Sequence, residues 1–166
     1  MSRRTRTVSG TVVVAADAMA IYRAVADPSQ MPRWSSENTG AVVPHPGEPL
    51  PEGASFVGTN RRGRARWSTR CVVVAAEPGR RFTFDVGEIG LGRPVLRGPI
   101  ARWDYAFEPV AGGTRVTETW TDRRRGWSDR VAVGLDRVLT GGRSFADFQR
   151  RNIARTLARL KADFEA

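Results

Sequence analysis

Apolar and polar residues alternate with a period of two across several segments in the middle of the chain. Trp67, Cys71 and Val73 alternate with Arg66, Ser68, Arg70 and Val72. Phe82, Phe84 and Val86 alternate with Arg81, Thr83 and Asp85, and Trp103, Tyr105 and Phe107 alternate with Arg102, Asp104 and Glu108. Val116 and Trp120 alternate with Arg115, Thr117, Thr119 and Thr121. Successive side chains of a strand point to opposite faces, so each run predicts a half-buried strand. Together the runs predict an antiparallel sheet with one solvated face and one face lined by large rings.

The remaining segments fit around that sheet. A first strand is predicted over 7–15, and others near 54–62, 65–76, 80–87, 101–109 and 114–122. Asp17 is placed to cap a helix over 18–26, with Ile21, Tyr22 and Val25 on its inner side. Asp27-Pro28 restarts the chain as a second short helix reaching Trp34. The stretch 38–53 carries Pro44, Pro46, Pro49 and Pro51 and reads as a loop. Glu77-Pro78-Gly79 and Ala111-Gly112-Gly113 read as hairpin turns. Residues 88–100, with Gly90, Gly92, Pro94, Gly98 and Pro99, read as a flexible insertion. Trp127, Val131, Leu135, Val138 and Leu139 have helical spacing, and Gly141-Gly142 ends that helix. A long helix is predicted from Ser144 to Phe164. Ile153, Leu157, Leu160 and Phe164 form its apolar stripe, and Arg151, Arg155 and Arg159 its solvated one. Phe148 falls on the arginine side, so either the helix bends there or the ring meets another group.

With 166 residues the chain fits a single domain over 1–166, which buries roughly 70% of its unfolded surface. The single cysteine, Cys71, permits no intramolecular disulfide and favours a reducing compartment. The N-terminal Met-Ser-Arg-Arg-Thr-Arg resembles the start of a signal peptide. The apolar run that follows, Val12 to Ala16, stops at Asp17 and is shorter than the roughly 7–15 residues such a signal needs. No window approaches the ~18 apolar residues of a membrane span, so the expectation is a soluble cytoplasmic protein. The net charge of +10 raises nucleic-acid or anionic-membrane binding. The arginines, however, are scattered over strands, loops and helix. Neither the cluster Arg61, Arg62, Arg64, Arg66, Arg70 nor the cluster Arg123, Arg124, Arg125 interleaves with aromatics on one face. No specific nucleic-acid partner is therefore expected.

Several stretches carry a family resemblance. They are Ala24-Val25-Ala26-Asp27-Pro28 with Trp34, Phe56-Val57-Gly58-Thr59-Asn60-Arg61, Trp67 with Cys71-Val72-Val73, and Pro78-Gly79-Arg80-Arg81-Phe82. Further on come Trp103-Asp104-Tyr105-Ala106-Phe107-Glu108-Pro109, Gly113 to Trp120, and Asn152 followed by Thr156 to Lys161. With the order of elements, they resemble the helix-grip fold of the SRPBCC (START-like) superfamily, and within it the bacterial polyketide cyclase/dehydrase-like proteins. The resemblance covers nearly the whole chain. It implies an α+β fold in which six or seven antiparallel strands wrap around the long C-terminal helix, with two short helices after the first strand. It also implies a cavity between sheet and helix, and it leaves the ligand open, because one scaffold hosts many roles.

Four polar residues share the aromatic parity: Asn60, Thr69, Tyr105 and Glu118. An apolar cavity with a few convergent polar groups is the usual form of a ligand site. Glu118 is the sharpest of these, because Val116 and Trp120 flank it on the same face. A buried carboxylate needs a partner or holds its proton more tightly. A salt bridge to an arginine is the simpler account, and a role orienting or deprotonating a ligand is the other. The rings of Trp34, Phe56, Trp67, Phe84, Trp103, Tyr105 and Trp120 either fill a core or line the cavity. The candidate ligand-binding set is therefore Trp34, Phe56, Asn60, Trp67, Thr69, Phe84, Trp103, Tyr105, Glu118 and Trp120.

No metal or cofactor is expected. One histidine and one cysteine do not make a Cys/His zinc site. His45, in a proline-flanked loop, is the only histidine available to a triad. Gly90-Leu91-Gly92 lacks the third glycine and the helix of a dinucleotide-binding turn. The expected function is binding of a small hydrophobic ligand, aromatic or polycyclic. One alternative is a polyketide aromatase/cyclase in which Tyr105, Asn60 or Glu118 promotes enolisation and aldol closure. Another is a self-protection protein that sequesters a reactive natural product. The sequence leaves a homodimer open.

Overall fold

The computed structural model describes residues 5–128, 130, 132–133, 136, 140–141 and 144–166. The expected helix positions Val131, Leu135, Val138 and Leu139, and Gly142, lie outside the described residues.

Strand β1 (Thr7–Val14) leads into helix α1 (Ala18–Val25). The Asp17 carboxylate caps α1 by accepting from the backbone N–H groups of Met19 at 2.9 Å and Ala20 at 3.2 Å. Asp27 then starts a 3-10 helix over Pro28–Arg33, with Pro28 at its first position. Asp27 is fully buried and fully used. Its Oδ1 accepts from Ser29 N (3.1 Å) and Ser29 Oγ (2.6 Å), and its Oδ2 from Gln30 Nε2 (3.1 Å) and Gly47 N (3.0 Å). That carboxylate ties the proline-rich loop to the start of the fold.

The sheet contains β1, β2 (Asn38–Val42), β3 (Ser55–Arg62), β4 (Ala65–Glu77), β5 (Arg81–Gly90), β6 (Leu96–Val110) and β7 (Gly113–Asp122). Its order is β1-β7-β6-β5-β4-β3-β2, antiparallel throughout, and it curls into a half-barrel. Register shifts at Val74 in β4 and Gly87 in β5 keep the large residues on the inner face. Two expectations are corrected. The stretch 38–53 is not all loop: Asn38–Val42 forms the edge strand β2. Residues 88–100 are not an insertion between strands but the far end of a long β5–β6 hairpin, paired at Glu88↔Arg97 and Ile89↔Leu96.

Helix α2 (Phe145–Phe164) crosses the concave side and packs chiefly on β1. Ser144 caps it, accepting from Asp147 N at 3.1 Å. Ile153, Leu157 and Leu160 are buried, Phe164 is half-buried, and Arg151, Arg155 and Arg159 are exposed, as their spacing predicts. Its approach to β1 depends on Gly10: a Cβ there would lie 2.6 Å from Ile153 Cγ2 and 3.2 Å from Leu157 Cδ1. The far end is fixed by Lys161 Nζ donating to Val13 O (2.8 Å) and Ala15 N donating to Glu165 Oε1 (2.8 Å).

The helix runs unbroken through Phe148, and that ring is covered by the Arg62 guanidinium, 3.7 Å from its centroid. Among the described residues no helix is long and apolar enough to cross a membrane.

Candidate functional site

The antiparallel register stacks inward side chains in rungs. One rung is Phe84–Trp103–Trp120–Val8, running across β5, β6, β7 and β1. The next is Phe82–Tyr105–Glu118–Gly10, and the one beyond it places Phe107, Val116 and Val12 side by side. Glu118 is thus flanked along its strand by Trp120 and Val116 and across it by Tyr105. Gly10 leaves the remaining side open to α2. Only 2% of Glu118 and 4% of Tyr105 is exposed, so water cannot solvate a charge there.

The Tyr105 hydroxyl donates to Glu118 Oε1 at 2.8 Å. Glu118 Oε2 is buried and has no hydrogen-bond partner among the described residues. Among the described residues no arginine pairs with Glu118, which corrects the simpler of the two sequence accounts. Burial raises the Glu118 carboxyl from 4.5 to about 8, and the Tyr105 hydrogen bond only partly offsets this. Burial also raises the Tyr105 phenol well above its ordinary value, helped by the neighbouring carboxylate. At neutral pH Glu118 is therefore mostly a neutral acid. With Oε1 accepting from Tyr105, Oε2 is the oxygen left to carry the proton of the neutral acid. The pair can donate from Oε2 when protonated and accept there when ionised.

The other candidate residues separate into groups. Phe84, Trp103 and Trp120 lie one rung from the pair, with Trp120 stacked at a tilt on Phe145 of α2 (5.4 Å between centroids). Phe56 meets Phe84 edge-on at 5.2 Å and extends the aromatic surface to β3. Asn60 and Trp67 face each other at the far side of the sheet, and both are half-buried. Arg62 lies over the Trp67 ring at 5.7 Å and pairs with Glu37 at 2.5 Å. Thr69 receives a weak hydrogen bond from the Cys71 thiol at 3.8 Å, and burial pushes that thiol up to about 12, leaving it an inert core group. Trp34 is buried beside the 3-10 helix. Neither Asn60 nor Thr69 hydrogen-bonds to the Tyr105–Glu118 pair.

Two polar groups escaped the sequence reading. Gln149, Asn152 and Thr156 are buried on α2, with Asn152 Nδ2 donating to Gln149 Oε1 at 3.2 Å and Ser36 Oγ donating to Asn152 Oδ1 at 2.9 Å. Their spacing, falling on the apolar side of the helix, was the available signal. At the end of β7, buried Arg124 bridges Asp122 (2.9 Å) and Asp136 (2.9 Å). The outer face absorbs much of the arginine content: Asp85 pairs with Arg102 and Arg123, Asp104 with Arg81, and Glu88 with Arg70 and Arg97. Among the described residues no cluster of His, Cys, Asp and Glu could hold a metal ion.

A half-barrel sheet gripping one long helix, with short helices after the first strand, defines an α+β protein of the helix-grip class. The chain belongs to the family described as polyketide cyclase/dehydrase and lipid transport, whose model matches residues 5–165. The resemblance carried by the sequence motifs is thereby borne out. Among solved structures, the protein CV1439 of Chromobacterium violaceum is 13% identical, with a TM-score of 0.67 over 98% of this chain and 99% of its own. The polyketide-cyclase-like protein Cgl2372 of Corynebacterium glutamicum is 25% identical, with a TM-score of 0.56 over 96% of this chain and 91% of its own. The di-domain ARO/CYC StfQ from the steffimycin biosynthetic pathway is 13% identical, with a TM-score of 0.64 over 95% of this chain and 44% of its own. No curated protein matches the chain.

Proposed function

We propose that the chain binds a small, mostly apolar ligand between the inner face of the sheet and α2, and that Glu118 Oε2 supplies the polar contact that orients it. The observation that carries this is the buried carboxylate with one oxygen held by Tyr105 and the other without a protein partner. Buried polar groups are normally satisfied, and an orphan costs about 1–3 kcal/mol, so a retained orphan points to a partner that arrives later. The neighbouring rung carries the rings of Phe84, Trp103 and Trp120, which suits an aromatic or polycyclic ligand. A carbonyl oxygen would accept from neutral Glu118, and a hydroxyl would donate to ionised Glu118. Native mass spectrometry of protein purified from its own host, for a co-purified small molecule lost in Glu118→Gln, tests this reading. Wild-type protein that carries nothing, and whose tryptophan emission ignores polycyclic ketones and fatty acids alike, overturns it.

The raised Glu118 carboxyl supports a second reading, a cyclase. A general acid or base works best when its proton affinity lies near the working pH, and Glu118 lies there. Such a group would take a proton from the carbon between two carbonyls of a poly-β-keto chain and return it to the alkoxide formed by aldol closure. Turnover of a model diketone that fails in both Glu118→Gln and Tyr105→Phe would favour catalysis over binding alone.

A further inference from the structure

Two hairpin tips at one end of the sheet carry side chains that folding does not explain. At the β5–β6 tip Leu91 is 86% exposed, Val95 69% and Leu96 65%. The tip is an ordered turn: Ser68 Oγ donates to Gly92 O at 2.9 Å, and Val95 N to Ile89 O at 3.3 Å. The apolar side chains are thus held out in solvent by a built structure. The adjacent β3–β4 tip places Arg61 directly opposite Arg66, a like-charged cross-strand pair that weakens a sheet. Both are exposed, as is Arg93 on the apolar tip, and none of the three has an ion-pair partner among the described residues. The tips are neighbours, since Ser68 pairs with Gly90 and Arg66 lies two residues beyond.

We propose that this end of the sheet is a docking surface for an anionic lipid bilayer. Protruding aliphatic side chains ringed by guanidiniums match a headgroup layer, where the leucines enter the acyl boundary and the arginines meet lipid phosphate. Charge complementarity is local as well as global, because the chain carries a net +10. A single-stranded nucleic-acid surface would place exposed rings between the arginines for base stacking. The exposed apolar side chains here are aliphatic, and Trp67, beside Arg66, is half-buried under Arg62. The surface is independent of the Tyr105–Glu118 pair, so the two readings stand or fall separately.

The test is flotation with vesicles of phosphatidylcholine alone or of phosphatidylcholine and phosphatidylserine in equal parts. Wild type should bind the anionic vesicles and release as salt rises. Replacing Arg61, Arg66 and Arg93 by Ala should weaken binding about fivefold for each arginine removed, or about a hundredfold together. Leu91→Ser with Leu96→Ser should weaken it further in a salt-insensitive manner. Leu91→Cys carrying an environment-sensitive fluorophore should shift to the blue on anionic vesicles, while Val42→Cys, exposed at the opposite end, should not. Buried Cys71 stays unlabelled. Absence of anionic-vesicle binding, an unchanged Leu91→Cys probe, or binding that single-stranded DNA or an acidic polypeptide matches and the leucine changes leave intact would each overturn the proposal.

Discussion

Tyr105 donates to one oxygen of Glu118 at 2.8 Å, and the other oxygen of that buried carboxylate meets no protein donor among the described residues. Asp27, equally buried, receives four donors on its two oxygens. One carboxylate is closed by the fold and the other is left half open. Hydrogen bonding accounts for Asp27 as a structural clip and leaves one oxygen of Glu118 for the ligand proposed above.

The first expectation is a pH dependence of stability. The folded Glu118 carboxyl lies near 8, against 4.5 when unfolded. Its proton is held more tightly in the folded state, so its stabilising contribution is complete below about 4.5 and is lost as pH rises through about 8. The loss is on the order of 3–5 kcal/mol. Glu118→Gln keeps an acceptor for Tyr105 and cannot ionise. It should flatten the dependence across that window and be the more stable protein at its alkaline end. Denaturant titrations of both proteins across the window check this.

Tyr105→Phe removes the one hydrogen bond that favours the ionised form of Glu118. The carboxyl should then rise further, and stability at neutral pH should fall by about 1 kcal/mol. A carboxyl-carbon NMR titration reads the first effect and thermal melts read the second. An unchanged titration would mean the pair is not formed in solution.

At Gly10, an alanine methyl would enter the space of Ile153 and Leu157. Gly10→Ala should cost about 1–3 kcal/mol, because α2 must lift from β1. It should also loosen the rung that contains Glu118, so its carboxyl should titrate closer to 4.5.

Arg124 holds Asp122 and Asp136 together in a buried cluster. Arg124→Met keeps much of the volume and leaves two buried carboxylates without their cation. The expected cost is about 3–5 kcal/mol, read from the denaturant midpoint. A change below about 1 kcal/mol would show that the cluster is hydrated.

The sequence made the central strands legible because one face of each is buried, which forces strict alternation. It hid β2 because Asn38–Val42 is a short edge strand whose Thr39, Gly40 and Ala41 show no apolar period. It hid the end of the β5–β6 hairpin for a related reason. Leu91, Val95 and Leu96 stand clear of the core there, and glycine and proline suggested an insertion. Alternation also identified Tyr105 and Glu118 singly, but not as partners. That pairing was within reach: counting back along both strands from the Ala111-Gly112 turn sets Tyr105 opposite Glu118. Of the two accounts left open for Glu118, the salt bridge fails among the described residues because the nearby arginines occupy the opposite parity and pair on the outer face. Phe148 could not be placed from helical spacing, since its partner Arg62 comes from a strand distant in sequence.

The central claim is that the free oxygen of Glu118 awaits a ligand, and the carboxyl-carbon NMR signal of Glu118 tests it most directly. Without ligand the signal should titrate near 8 in wild type and be absent in Glu118→Gln. Addition of a polycyclic aromatic ketone or hydroxy compound that binds should move both its shift and its midpoint, with a parallel change in tryptophan emission. A Glu118 that titrates near 4.5, or one whose signal ignores every ligand that does bind, would contradict the account.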